Sequence, residues 1–263
     1  MDTVPNQTMP VVILCGGAGT RLAEHTEVRP KPLVEVGGRP LLWHIMQHYA
    51  HYGFHEFVLA LGYKGEQIKQ YFLDYHVLGR DVTVSLQDGQ VRAIGDNRVE
   101  PWQVHLVDTG PTTLTGGRLT RLAPILGNRA FMLTYGDGVS DVPLDALLAF
   151  HHAHGGLVTI TAARPPARFG TVEFEGDHVR HFREKSRLHE GWINGGFAVV
   201  EPGALGYIES DVAWEDAPVQ RLAKDGRLFG FRHEGFWQCV DNIRDLRYLE
   251  SLWAGGQPPW KTW

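Results

Sequence analysis

The sequence predicts an α/β fold, a mainly parallel and doubly wound sheet with helices on its faces, and three observations predict it. A β-branched apolar run at residues 11–14 leads straight into a glycine-rich turn. Strand-length apolar runs then alternate with stretches of helical period as far as residue 156, the pattern of linked βα units. Polar residues stand at strand ends, where open α/β sheets gather their ligands: Asp137 after the run 131–135 and Asp241 after the run 236–240.

Residues 1–9 have no periodicity and read as a frayed tail. The run 11–14 is a buried strand. Its exit, Gly16-Gly17-Ala18-Gly19-Thr20-Arg21, lets the backbone turn sharply and present its amides to an anion, with Arg21 adding a forked cation. The turn lacks the Lys-Ser/Thr pair of a P-loop, and Leu22 stands where a dinucleotide fingerprint needs its third glycine. Lys31 sits between Pro30 and Pro32, so its ammonium is carried on a stiff support. An amide cradle followed by a rigid lysine suits a polyphosphate.

Gly37-Gly38 makes a turn and Pro40 opens a helix, with Leu42, Ile45, Met46 and Tyr49 as its buried stripe. His44, His48, His51 and His55 follow on another face, expected to meet solvent or a second subunit rather than a metal, because no acidic or cysteine partner accompanies them. A strand at 57–61, a helix at 64–75 with Ile68, Tyr71 and Phe72 inward, and a strand at 82–86 come next. The polar stretch 87–100 is a hairpin or excursion, and 103–107 is a strand. Residues 112–121 read as a loop feeding a helix N-terminus.

The strand 131–135 ends in Gly136-Asp137-Gly138, whose aspartate is a candidate ligand for a hard cation. A helix at 144–154 follows, with His151, His152 and His154 expected at its end, partly protonated against the dipole. From residue 157 the character turns to β, with strands at 158–163, 170–174, 179–184 and 193–200. Helices at 202–208 and 215–224 precede a last strand pair, 228–232 with 236–240, and a helix at 243–253. The aromatic PPWKTW tail is expected to pack on the body or on a neighbouring subunit. No linker or repeat interrupts the chain, so residues 10–263 are read as one domain, with a nucleotide half at about 10–156 and a sugar-phosphate half at about 157–263.

A net charge of −5 argues against a general nucleic-acid or membrane-surface binder. Two cysteines cannot make a disulfide scaffold, no apolar run approaches the ~18 residues of a membrane span, and no secretory pattern is visible, so cytoplasmic residence is expected. Lys31, Arg21, the glycine turn and two strand-end aspartates together are the parts of phosphoryl or nucleotidyl transfer, in which Mg²⁺ asks the protein for only one or two carboxylates.

The strings GGAGTRL, RPKPLVEVGG, LVDTG, TGGRL, YGDGVSD, EKS, NGGF and GFWQCVD, in this order, resemble the sugar-1-phosphate nucleotidylyltransferases, and within them the bacterial glucose-1-phosphate cytidylyltransferases. The likeness runs from near Val11 into the PWKTW tail. It implies a Rossmann-like nucleotide-diphospho-sugar transferase fold with a mixed, mainly parallel sheet. It further implies a Mg²⁺-dependent reaction of CTP with α-D-glucose 1-phosphate that yields CDP-glucose and pyrophosphate, in a homo-oligomeric enzyme supplying dideoxysugars for surface polysaccharides. On this resemblance Leu14, Cys15, Gly16, Gly17, Ala18, Gly19, Thr20 and Arg21 wrap the nucleotide phosphates and Lys31 meets the reacting ones. Thr113, Arg118 and Gly136 belong to the nucleotide pocket, and a guanidinium such as Arg118 facing the base would favour the acceptors of cytosine over the N3 donor of uracil. Asp137 and Asp241 match the Mg²⁺ ligands, while Gly170, Glu184, Lys185 and Asn194 match the sugar-phosphate side. Cys15 fills a slot that is small and inert in the family, Ser186 replaces a common proline, and 87–97 matches poorly. A UTP- or dTTP-dependent sister enzyme, a non-catalytic nucleotide-sugar sensor and, more remotely, an NAD-dependent oxidoreductase are the competing readings.

Overall fold

The structure, a computed structural model, describes residues 9–17, 29–79, 81–95, 99–165, 171–175, 177–183 and 191–263. Strand β1 (Val11–Cys15) is followed by the small hairpin β2 (Glu35–Val36) and β3 (Arg39–Pro40), helix α1 (Leu41–His51), β4 (Glu56–Leu61) and α2 (Gly65–Leu73). Then come β5 (Val82–Val84), β6 (Val91–Ala93), β7 (Gln103–Asp108), α3 (Thr115–Leu126), β8 (Phe131–Tyr135), β9 (Gly138–Ser140) and α4 (Leu144–His154). The second half supplies β10 (Val158–Ala163), β11 (Thr171–Glu175), β12 (His178–Arg183), β13 (Ile193–Asn194), β14 (Ala198–Val200), α5 (Ala217–Lys224), β15 (Leu228–His233), β16 (Trp237–Cys239) and α6 (Ile243–Ala254).

The main sheet runs β7-β4-β1-β8-β14-β10, with β13 and β15 also paired to β10. β1 is parallel to β4 and β8, and β7 is parallel to β4. β14 reverses direction against both β8 and β10, which makes the sheet mixed. Because alternate residues of a strand face opposite ways, Val11 and Ile13 pack under α1, α4 and α6, whereas Val12 and Leu14 pack against Leu119, Leu122 and Leu126 of α3. Each such side chain contributes about 1.5–3 kcal/mol of burial, and coverage on both faces explains why the parallel strands read as unbroken apolar runs. Among the described residues no helix is long and apolar enough to cross a membrane.

Several expectations need correction. The run 82–86 does not join the sheet: β5 pairs only with β6, in a hairpin whose Val84, Leu86, Val91 and Ile94 are exposed. Its short valine strand is flanked by Asp81, Asp88 and Arg92 and has no apolar face large enough to compete for the core. The anticipated pair of closing strands is not formed either. β15 lies parallel along β10, and β16 pairs with β9. This swap has a consequence for the site, since it carries the end of β16 back to the end of β8. The aromatic tail does pack on the body, with Trp260 only 1% exposed and stacked near Phe236 and Trp253.

The histidine face of α1 is the clearest reversal. His44 and His48 are buried, while His51 remains exposed. His44 Nε2 donates to the Val36 carbonyl at 2.8 Å, inside a cage of Trp43, Trp253, Trp260 and Trp263. His48 bridges the Val142 carbonyl and the Thr262 hydroxyl at 3.0 and 3.1 Å. Burial pushes the His48 pKa down to about 4 and lowers that of His44. His151 and His154 of α4 are likewise driven toward the neutral form by burial, both bonding the Thr159 hydroxyl, so at these two rings the expected helix-end protonation is overridden. The unfolded chain protonates these rings near pH 6.5 and the folded chain resists, so their contribution is complete above about pH 6.5 and is lost as pH falls toward about 4. Urea midpoints measured from pH 8 to 4.5 should therefore fall below about pH 6.5, and His48→Gln should flatten part of the fall.

Candidate active site

The carboxyl ends of β1 and β8 open on one cleft, each followed by a small residue that lines it, and β4 ends beside β1. Gly16 follows β1, Gly62 follows β4 and Gly136 follows β8. The glycines at the first two positions are a steric requirement. A Cβ on Gly16 would lie 2.0 Å from Arg118 Cζ, and one on Gly62 would lie 2.4 Å from Arg118 Nη1. Arg118, in the first turns of α3 and 4% exposed, lays its guanidinium flat against both backbones. Its Nη1 donates to the Leu61 carbonyl, the Thr109 hydroxyl and the Gly110 carbonyl at 2.9, 2.7 and 2.9 Å, and its Nη2 to the Gly16 carbonyl at 3.1 Å. The guanidinium is thus committed to the protein's own oxygens. It braces three strand exits, and its edge still lines the cleft.

Lys31 begins a single 3₁₀ turn, Lys31–Leu33, closed by the Leu33 N–H to the Pro30 carbonyl at 2.8 Å. Proline on both sides leaves the turn little freedom, and the ammonium projects into the cleft. Its Nζ donates to Asp137 Oδ2 at 2.8 Å and to Asp241 Oδ1 at 2.9 Å. Burial alone would lower the lysine pKa, and the two carboxylates together outweigh it and raise it, so the ammonium stays charged. Asp137 closes β8, and Asp241 arrives through the β9–β16 pairing, with the Val240 N–H bonded to the Asp137 carbonyl at 2.9 Å. Helix α6 then holds Asp241 in place, its Asp245 carboxylate accepting the Asp241 N–H at 3.0 Å.

Two carboxylates gathered on one cationic nitrogen form a point that a divalent ion would occupy equally well. Among the described residues no set of three His, Cys, Asp or Glu side chains converges, so the protein donors at this point are the two aspartates. That chemistry fits Mg²⁺ completed by phosphate oxygens and water better than it fits a closed Zn²⁺ site. Cys15 lines the same cleft, but burial, helped by Asp137, drives its thiol pKa far up and leaves it protonated and inert.

Of the residues singled out from the sequence, Leu14, Cys15, Gly16, Gly17, Lys31, Arg118, Gly136 and Asp137 all line this cleft. Asp241 reaches it through Lys31, and Thr113 is buried beside Gly110. Asn194 is exposed at the end of β13 and touches the Tyr135 hydroxyl. Ala18, Gly19, Thr20, Arg21, Gly170, Glu184 and Lys185 lie outside the described residues. Sequence reasoning missed Thr115 and Tyr135, which also line the cleft, and Glu215, which bonds both. Tyr135 was within reach, standing immediately before Gly136-Asp137, whereas nothing local marks Glu215.

A family model described as nucleotidyl transferase matches residues 10–225. Glucose-1-phosphate cytidylyltransferases of Salmonella typhi and Salmonella typhimurium are each 48% identical to this chain over 97% of it and 100% of theirs. A probable glucose-1-phosphate cytidylyltransferase of Bacillus subtilis is 42% identical over the same shares. Among solved structures, a UDP-glucose pyrophosphorylase from Acinetobacter baumanii superposes with a TM-score of 0.68 at 14% identity, covering 96% of this chain and 95% of that one. HddC from Yersinia pseudotuberculosis does so with a TM-score of 0.67 at 20% identity, covering 94% and 100%. At those identities the structural likeness bears on the fold, which is that of the Rossmann-like nucleotidyltransferases.

Proposed function

This chain belongs to the nucleotidyl transferase family, and from that premise we propose that it transfers the cytidylyl group of CTP to α-D-glucose 1-phosphate, giving CDP-glucose and pyrophosphate. It is an enzyme of nucleotidyl transfer to a sugar 1-phosphate. The observation that carries the reading is Lys31 Nζ bridging Asp137 and Asp241 at the cleft where the glycine turn leaves β1.

The sugar's phosphate oxygen attacks the α-phosphorus of CTP in line, and pyrophosphate leaves on the opposite side. Such a reaction needs positioning and charge neutralisation more than a covalent nucleophile. The Gly16-Gly17 backbone, with Ala18 to Arg21 beyond it, holds the triphosphate, and Lys31 takes charge from the reacting phosphates. The lysine is drawn off the aspartates by the incoming phosphates, which exposes both carboxylates at the moment they are needed. Mg²⁺, held by Asp137 and Asp241, would supply the divalent charge that neutralises the α-phosphate region. Gly136 lets β8's end pack closely on Pro32 and Cys15, which a Cβ there would meet at 2.9 and 3.2 Å, beside the space taken by the nucleotide. Gly170, Glu184, Lys185 and Asn194 take the sugar phosphate, so that residues 10–156 form a nucleotide half and 157–263 a sugar-phosphate half. Cytoplasmic residence and a homo-oligomer belong to the same proposal, and the exposed apolar residues of the β5–β6 hairpin support the second.

Pyrophosphate release measured with CTP, UTP, dTTP and GTP against several sugar 1-phosphates tests the assignment. CTP with glucose 1-phosphate should give a kcat/KM at least about tenfold above any other pair, a difference of about 1.4 kcal/mol. Equal efficiency with UTP or dTTP would replace the cytidylyl reading by that of the sister enzyme.

A further inference from the structure

The sequence Asn194-Gly195-Gly196-Phe197 interrupts a strand. β13 and β14 both run antiparallel to β10, Ala162 opposite Asn194 and Thr159 opposite Val199, so the pairing slips by two residues between them. Gly196 and Phe197 take positive φ angles of 73° and 45° to make the bulge, the second of them costly for a residue with a side chain. The bulge is pinned from both sides. Trp237 Nε1 donates to the Gly195 carbonyl at 2.7 Å, and the Thr161 hydroxyl donates to the Phe197 carbonyl at 2.7 Å. Its effect is to stand the Asn194 side chain beside Tyr135 at the cleft.

From there the hydrogen bonds can be assigned donor by donor. The Gly196 N–H donates to Asn194 Oδ1 at 3.1 Å, which fixes which end of the amide is oxygen. The amide nitrogen is therefore the end of Asn194 that can donate to the Tyr135 hydroxyl, whose ring lies against the neighbouring Gly196. Tyr135 in turn donates to Glu215 Oε1, and the Thr115 hydroxyl donates to Glu215 Oε2 at 2.7 Å. The Thr115 oxygen also accepts from the Trp214 N–H at 2.8 Å, and its single O–H goes to the carboxylate, which can only accept. Every polar group along Asn194, Tyr135, Glu215 and Thr115 is oriented. Among the described residues one N–H of Asn194 is left over, with its direction set by the planarity of the amide.

We infer that Tyr135 and Glu215 are positioning residues for the sugar 1-phosphate, holding the Asn194 amide so that its remaining N–H meets an acceptor oxygen of that substrate. This rests on the reading of Asn194 as a sugar-phosphate contact. Tyr135 and Glu215 act through Asn194: the phenol oxygen accepts from the amide, and the carboxylate makes the phenol a donor on its other side, so the amide cannot turn over. The reach of the chain is unusual for so small a site, since Glu215 is 80 residues from Tyr135 and 100 from Thr115. It ties the sugar side to the first residue of α3, which lines the nucleotide cleft.

The experiment is a set of steady-state measurements on Asn194→Ala, Tyr135→Phe, Glu215→Gln and the Tyr135→Phe/Asn194→Ala pair, with KM determined separately for glucose 1-phosphate and CTP. Tyr135→Phe should raise KM for glucose 1-phosphate about fivefold and move KM for CTP less than about twofold. Glu215→Gln, which keeps the shape and loses the second acceptor oxygen, should move the sugar KM in the same direction and serves if the phenylalanine variant folds poorly. The double variant should be no worse than Asn194→Ala, because the two residues act as one unit. Additive losses in the double variant, or equal rises in both KM values, overturn the positioning role while leaving Asn194 as a contact. An unchanged sugar KM in Asn194→Ala removes the contact itself, and the inference with it.

Discussion

Lys31→Ala lowers turnover by about 10²–10³-fold, the loss of about 3–4 kcal/mol that follows removal of one pre-aimed charge contact, and leaves the fold standing. The two halves of this expectation rest on different observations. The catalytic half follows from geometry: the ammonium is carried on a proline-braced turn that projects it into the cleft. The stability half depends on solvent. Removing the lysine leaves Asp137 and Asp241 facing each other without a cation, which would be costly in a dry interior. Their side chains, however, are 35% and 27% exposed, so water screens most of the repulsion. The thermal midpoint should accordingly move by no more than about 3 °C. The same variant should gain more thermal stability from added Mg²⁺ without nucleotide than the parent does, because no ammonium competes for the carboxylates. Lys31→Arg should recover little, since a broad planar fork does not fit the point where one small nitrogen meets two oxygens. Single-turnover rates near normal in the alanine variant, with its fold verified by circular dichroism, reject the role.

The parts of this site that could be read from the sequence are those whose position is set by local backbone. Val11 to Cys15 announces itself by β-branching, the glycines after it by the turn they permit, and Lys31 by its flanking prolines. Asp137 and Asp241 were found as strand-end residues even though the strand leading to Asp241 was given the wrong neighbour. Strand ends collect at one edge of a sheet whichever order the strands take, so that rule tolerates errors of pairing. What could not be read is set by packing between distant segments. His44 and His48 look like a polar stripe until four tryptophans from α1, α6 and the tail close around the first, and Tyr52, Phe197 and Thr262 around the second, and hydrophobic periodicity counts histidine as polar in either case. Glu215 lies in a loop with no period, and its meaning exists only in the hydrogen bonds it accepts from the Tyr135 and Thr115 hydroxyls. The β5–β6 hairpin failed as a sheet strand because valine-rich pattern speaks for strand and says nothing about which sheet.

Arg118 separates a structural role from a recognition role, and its alanine variant is expected to show the first. Truncation withdraws one cation from the Gly16, Leu61 and Gly110 carbonyls and the Thr109 hydroxyl together. Because the residue is 4% exposed, water cannot replace every lost donor, and the destabilisation should be about 3 kcal/mol, a fall of roughly 6–12 °C in Tm. The loss should also reach function without touching base choice. Gly16 and Gly62 have a flat guanidinium where other residues would have a Cβ, so its removal leaves a hole beside Gly16, which lines the cleft. KM for CTP and UTP should rise together, and their ratio should stay within about threefold of the parent, under about 0.7 kcal/mol of discrimination. Arg118→Lys should restore little of either, because one ammonium cannot span acceptors that a planar fork reaches from three strand exits. A variant that keeps its Tm but accepts UTP as readily as CTP would show the opposite, that the guanidinium leaves its carbonyls to read the base when nucleotide enters. Thermal melts and paired CTP and UTP kinetics on the same preparation therefore decide between a brace and a reader, and the hydrogen bonds of Arg118 favour the brace.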